Sequence, residues 1–412
     1  MERNMRPYKP DQDRDAVRRI WREVGWIDGE DDEKALDVFL ESGRTVVADL
    51  DATPECMVNT DPGTFRYLDE ELPLCCITGV TTSRVARKRG LATSLTAHAL
   101  QTAAKDDSAS LAVLGVFEQG FYDRLGFGNG SYEHWYTFDP TQLPGSVEAR
   151  TPCRLTDTDW EIVHQSRLAR RRTHGTICIL PSQITRAEMM WSDSGFGLGY
   201  RDDAGTLTHH LWLSTKEAES GPYRVNWMTY RTRDEFLELL ALIKSLGDQV
   251  RSIRMREPGD ILLQDLLHEP FKLQQITKAS KHEHRVNAYA YWQVRMLDLE
   301  TCIERTHLDG ETVSFHLELA DPVGQHLTSD LSWPGLAGDY TITLGPKSSA
   351  TPGRQAGLPT LRATVGAFTR MWLGVRPPTG LAWTDNLEGP EELLRALDRR
   401  LRLPTPATDW DF

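Results

Sequence analysis

The first regular signal along the chain is an apolar stripe. Val17, Ile20, Trp21 and Val24 recur at spacings of three and four, which predicts an amphipathic helix over Asp13 to Trp26. Arg44 to Leu50 reads as a strand, and residues 51–70, polar with Pro and Gly, read as a loop. LPLCCITGV then forms a nearly continuous apolar strand ending near Thr82. After a short basic stretch, Leu91, Leu95, Ala99 and Ala103 return at spacings of four, the mark of a second helix.

Further along, Thr232-x-x-Glu235 precedes FLELLALIKSLG and predicts a capping-box start for a helix ending at Gly247. Val313, Phe315, Leu317 and Leu319 alternate with polar neighbours, as a half-buried strand does. LRATVGAFTRMWLG reads as a helix, and so does PEELLRALDRRL, whose Leu393, Leu394, Leu397 and Leu401 share a face. Strand-like and helix-like segments alternate throughout, with no repeat of about 20–50 residues. The expectation is an α/β protein of three units, 1–140, 150–285 and 286–412, as the 412-residue length allows.

Composition narrows the classes. The chain is 39% hydrophobic and 26% charged, which excludes a disordered or fibrous protein. No apolar run approaches the ~18 residues of a membrane span, and MERNMRPYKPDQDRD lacks the apolar core of a secretory signal. A cytoplasmic protein with no membrane partner is expected. The net charge of −13 argues against a nucleic-acid partner and is compatible with cationic small substrates. Six cysteines without C-x-x-C spacing read as buried thiols. His209-His210 and His282-x-His284 lack the Cys or carboxylate companions of a zinc site, so no metal is expected.

One stretch departs from the acidic background. Arg84, Arg87, Lys88 and Arg89 fall within six residues and are followed by Gly90 and a helix start. Unpaired N–H groups, the positive end of a helix dipole and a glycine that admits close approach together form an anion site. A solvated basic loop with a capping glycine fits the same spacing, and charge runs are more often that. The stretch is neither a Walker A loop nor a G-x-G-x-x-G turn.

Arg87-Lys88-Arg89-Gly90-Leu91-Ala92 fits R/Q-x-x-G-x-G/A and resembles the acetyl-CoA pyrophosphate loop of the GCN5-related N-acetyltransferases, the GNAT superfamily. About 25 residues later, SLAVLGVFEQGFYDRLGFGNG looks like the next strand and turn of that fold. The turn Gly120 to Gly128, the length near 400 and the ending Asp411-Phe412 are similar to the Eis-type (enhanced intracellular survival) branch.

The resemblance implies a GNAT domain over 1–140, a second GNAT-like domain over 150–285, and a sterol-carrier-protein-like domain over 286–412 whose C-terminus reaches the active site. It implies that Val80, Thr81 and Thr82 face acetyl-CoA, and that Arg87, Lys88, Arg89, Gly90, Leu91, Ala92 and Thr93 hold its pyrophosphate. Phe117 and Glu118 would supply the next cofactor contact. Tyr122 would be the general acid and the free α-carboxylate of Phe412 the general base. Asp411, beside it, would contact the acceptor. From its charge alone, apart from the resemblance, the acidic loop of Asp28, Glu30 and Asp31 reads equally as an amine-pocket lining, with Asp28 as an acceptor contact, or as solvated.

The implied reaction is direct acetyl transfer in a ternary complex to an aminoglycoside, lysine or polyamine type of amine, in a homohexamer. A phenol with pKa near 10 stays protonated at neutral pH and can donate to a departing thiolate. A carboxylate of pKa about 3.5 needs a water relay or a drier setting to take an ammonium proton. Two rivals are an acyl-CoA sensor without turnover and a lipid-binding protein using the sterol-carrier-like domain. The basic run Arg167 to His174 reads as solvated surface or subunit contact.

Overall fold

The computed structural model describes residues 4–118, 120–145, 147–269, 278–328 and 332–411. Strand β1 (Asn4–Pro7) leads into helix α1 (Pro10–Val24), which starts three residues before the expected Asp13 because Pro10 suits a first helical turn. It ends at left-handed Gly25, so Trp26 lies beyond the helix rather than in its last turn. Helix α2 (Glu30–Leu40) and strand β2 (Arg44–Leu50) follow, the latter as expected.

The expected loop over 51–70 is instead a 15-residue strand, β3 (Thr53–Tyr67), paired along its length with β4 (Glu70–Thr82). Pro62 and Gly63 disguise it. Pro62 has no N–H to donate, but its carbonyl accepts from Leu180 N at 3.0 Å, where strand Ile177–Ile179 joins this edge. Tertiary pairing overrides the local breaker signal.

Helix α3 (Leu91–Lys105) returns the chain to β5 (Leu111–Gly115), which runs parallel to β4 from Leu74↔Leu111 to Ile77↔Leu114. Among the described residues the first sheet has eight strands. Its path runs β1-β2-β3-β4-β5, then Trp292–Met296, then Gly128–Asn129. A seven-stranded sheet spans Glu133–Phe138 to Arg285–Tyr289 in sequence, and a five-stranded sheet is built around Val313–Ala320. The structure therefore has the expected α/β class, but its sheets interleave along the chain. Glu133–Phe138 pairs in the second sheet, and Trp292–Met296 inserts into the first beside β5.

Three local readings change for physical reasons. Thr232 does cap helix Arg233–Ser245, accepting from Glu235 N at 3.2 Å. The Glu235 carboxylate, however, accepts from Arg231 N at 2.6 Å and pairs with the Arg231 side chain, so the box is half formed. Leu361–Gly374 is not all helix. Thr360–Thr364 adds to the third sheet, and Thr364 then caps helix Val365–Trp372. Arg167 and Arg170, expected in solvent, are 3% and 7% exposed.

Candidate active site

Strands β4 and β5 are in register only as far as Ile77 and Leu114. Beyond that point β4 continues to Thr82 while β5 stops at Gly115, so the two parallel strands part. A bulge sits at the parting. The β3 ladder passes from Asn59↔Thr78 to Met57↔Thr81, leaving Gly79 and Val80 without partners in that ladder. Gly79 has φ +58°, and a Cβ there would meet Trp21 at 3.1 Å and Phe39 at 3.3 Å. Only glycine lets the backbone turn there while two aromatic rings close over it.

The widening is a cavity of about 440 Å³. Ile77, Thr78, Gly79 and Val80 line one side, and Gly115, Val116, Phe117 and Tyr122 another. Trp21, Trp26, Phe39 and Trp191 form the outer wall. Trp21 stacks on Trp191 at 5.9 Å between centroids and meets Trp26 edge-on at 5.1 Å.

Tyr122 opens a short 3₁₀ turn, Tyr122–Leu125, and packs edge-on to Phe121 at 4.8 Å and Phe127 at 6.0 Å. It is 5% exposed. Burial, with the buried Cys56 thiol as a lesser cause, pushes its phenol above the usual value and keeps it protonated.

After β4, the turn Arg84–Ala86 leads to Lys88 at φ +61° and Gly90 at φ +77°, and α3 begins. No side chain caps α3 and its first turn holds no acid, and the exposed Arg84, Arg87, Lys88 and Arg89 lie in the loop that leads into it. A strand that parts from its parallel neighbour, followed by a basic loop and a helix start without a side-chain cap, suits an extended thioester with a polyanionic end.

Comparison with known proteins bears on this arrangement. Residues 4–130 match the family model of the acetyltransferase (GNAT) domain. They are a GNAT acetyltransferase domain. Full-length structural likeness accompanies the match. Eis1 from Mycobacterium abscessus is 16% identical with a TM-score of 0.76, covering 100% of both chains. A GCN5-related N-acetyltransferase from Kribbella flavida is 17% identical with a TM-score of 0.74, over 100% of this chain and 99% of that one. A conserved protein of unknown function from Enterococcus faecalis V583 is 18% identical with a TM-score of 0.80, covering 100% of both. At these identities the likeness is one of fold. No curated protein matches the sequence.

The cavity of the GNAT domain is completed from outside it. Glu188, on helix Ser182–Met190, and Asp411 line it. Both also line a second cavity of about 560 Å³, which shares Glu188, Trp191 and Asp411 with the first. The Glu188 carboxylate is 22% exposed, pairs with Arg167 and accepts from Trp410 Nε1 at 2.9 Å. Burial raises its pKa against the opposing pull of Arg167, which makes it a better base than a solvated glutamate.

The C-terminal tail is held residue by residue. Ala407 N–H donates to His174 O at 3.0 Å, and Thr408 Oγ1 donates to Glu133 at 3.0 Å. Asp409 takes a bidentate pair from Arg170, both contacts at 2.6 Å. Trp410, 1% exposed, lies under the Arg167 guanidinium at 3.7 Å. Asp411 pairs with Arg256 and, at 3.6 Å, with Arg224.

Of the residues named from sequence, Val80, Phe117, Tyr122 and Asp411 meet in the cavity. Thr81 is buried beside it, and Thr82 Oγ1 lies 3.2 Å from Cys56 Sγ. Arg87 to Thr93 form the loop and first turn of α3. Glu118 is exposed after β5. Asp28 is exposed and does not line either cavity, whereas Trp26 from the same loop does. Phe412 lies outside the described residues. Sequence reasoning missed Trp21, Phe39, Glu188 and Trp191. Trp21 carried a signal, its place on the apolar face of the first helix, but Glu188 and Trp191 carried none. Burial holds the thiols of Cys56, Cys75, Cys76 and Cys302 above the usual range, which makes them poor nucleophiles.

Beneath the bulge lies a buried polar cluster. Asp61, 1% exposed, accepts from Ser42 at 2.5 Å, Asn59 at 2.8 Å and Thr78 at 3.1 Å. Burial outweighs these bonds and pushes its carboxyl up to about 6. Between about pH 4 and 6 the folded chain then binds more protons than the unfolded one, so stability falls as pH rises through that window, by about 3 kcal/mol in all. Asp61→Asn is expected to remove this slope. In thermal unfolding at pH 4.5 and 7.5, the variant should gain on the wild type at the higher pH. An equal gap at both would show that Asp61 is ionised throughout.

Proposed function

We propose that the chain transfers acetyl from acetyl-CoA to a primary amine by direct attack in a ternary complex. The observation that carries this reading is one cavity shared by the parted strands, the buried Tyr122 and the carboxylates of Glu188 and Asp411. The thioester would lie along Thr78 to Thr82, with a backbone N–H near Val80 polarising its carbonyl oxygen and the pyrophosphate at Arg87 to Thr93. The amine nitrogen attacks the carbonyl carbon, the C–S bond breaks, and the thiolate takes the Tyr122 proton.

The proton lost from the amine goes to a carboxylate on the tail side of the cavity. Phe412 adjoins Asp411, and its α-carboxylate remains the proposed base. Glu188 and Asp411, each ion-paired with arginine, still offer carboxylate oxygens to the acceptor's ammonium group. Aromatic walls from Trp21, Trp26 and Trp191 favour a cation by their ring faces. These features support a cationic acceptor of aminoglycoside, lysine or polyamine type. A homohexamer and a cytoplasmic location complete the reading.

CoA thiol release with acetyl-CoA, against aminoglycosides, polyamines and lysine peptides, tests the proposal. Release that depends on an amine, with stoichiometric acetamide, is expected. Acetyl-CoA binding without release on any amine would make the chain a sensor instead.

A further inference from the structure

We infer that the third sheet carries a site for a divalent transition cation of the zinc type, formed by His316, Glu318 and Asp339. Strand Val313–Ala320 sends Phe315, Leu317 and Leu319 into the core, so His316 and Glu318, two residues apart, share its other face. Asp339 stands directly opposite Glu318 in the antiparallel ladder. One donor atom from each of the three side chains lies within 4.8 Å of the other two.

The imidazole supplies the second, independent observation. His316 is 0% exposed, and neither ring nitrogen makes a hydrogen bond to a described residue. A buried polar ring without hydrogen bonds is costly, and a partner that accepts the Nε2 lone pair removes the part of that cost that belongs to Nε2. Its Nε2 points into the cluster, 3.3 Å from Asp339 Oδ1 and 3.9 Å from Glu318 Oε1. Ligands about 2.0–2.1 Å from a tetrahedral ion stand about 3.4 Å from one another, so these spacings need only small adjustment. One imidazole with two carboxylates suits zinc and its neighbours better than calcium or magnesium, which prefer oxygen alone. Asp339 is on the solvent side, so a water can fill the fourth position.

Two arginines set the strength. Arg354 at 3.0 Å and Arg362 at 2.5 Å share the Glu318 carboxylate and cancel the charge of the two acids. Affinity therefore rests chiefly on the imidazole and Asp339. The bound ion would clip two neighbouring strands together, away from the residues that line the active-site cavity. The proposal is independent of the transfer reaction.

The test is zinc titration of the full chain after dialysis against a chelator, by calorimetry and by thermal unfolding. One equivalent should bind and raise the Tm of the wild type. His316→Gln and Asp339→Asn should each lower affinity at least about tenfold. Because Asp339 is exposed, its variant is expected to stay folded, with unchanged circular dichroism and acetyl-CoA binding. Equal zinc uptake by wild type and Asp339→Asn would place the metal elsewhere. No uptake by the wild type in excess zinc would overturn the site outright.

Discussion

Tyr122→Phe is expected to lower turnover roughly 10²–10⁴-fold while leaving acetyl-CoA affinity near the wild-type value. The substitution removes one oxygen and keeps the ring, so the edge-on contacts with Phe121 and Phe127 persist. What disappears is the proton donor in the cavity, which burial keeps protonated well beyond neutral pH. The departing thiolate must then draw its proton from water. Steady-state rates with a fixed amine, beside direct measurement of acetyl-CoA binding, separate the two effects. A rate within a small factor of wild type would take Tyr122 out of the chemistry and leave it as packing.

Asp321→Ala should cost roughly 3–5 kcal/mol of stability, a fall in Tm on the order of 10 °C. Arg295 and Asp321 are 0% and 1% exposed at their side chains and pair at 2.8 Å. Removing the acid strands the guanidinium in the interior and orphans the Val323 and Leu336 N–H groups that Asp321 also accepts. The consequence reaches the active site. Arg295 also donates to the Leu125 carbonyl, and Gln293, from the same strand, donates to Asp123 at 3.0 Å. Both acceptors belong to the turn that Tyr122 opens. Gly126 ends that turn at φ +80°, and a Cβ there would meet Arg295 at 2.8 Å. Turnover should therefore fall with stability even at temperatures where the variant is folded. Converting the pair together, Arg295→Met with Asp321→Leu, should recover part of the Tm but not the anchoring of the turn. A Tm unchanged in the single variant would mean that the pair is solvated in solution.

The side of the candidate site built by β4, the basic loop and α3 was legible because its signals are local. A strand, a basic loop, a glycine and a helix start within about 30 residues report a backbone path that the chain's own periodicity dictates. Tyr122 and Val80 could be named only through the resemblance of that stretch and the following turn to the GNAT family. The strand over residues 53–67 was not legible, because Pro62 and Gly63 speak for a loop and only pairing with β4 and Ile177–Ile179 speaks against it.

The carboxylate side shows the other limit. Asp411 could be named only through its place next to the chain end, and Glu188 not at all. Arg167 and Arg170 looked like a solvated basic run until the tail supplied Asp409 and Trp410 as their partners across more than 200 residues. Asp28 was chosen for its charge, yet the neighbouring Trp26 faces the cavity. The sequence by itself determined the α/β class and the basic stretch at a helix start, since hydrophobic period and helix-terminus chemistry act between near neighbours. The tertiary structure alone decided which distant side chains close the cavity. Burial turns separate arginines, acids and tryptophans into partners, and no pattern along the chain records who is buried against whom.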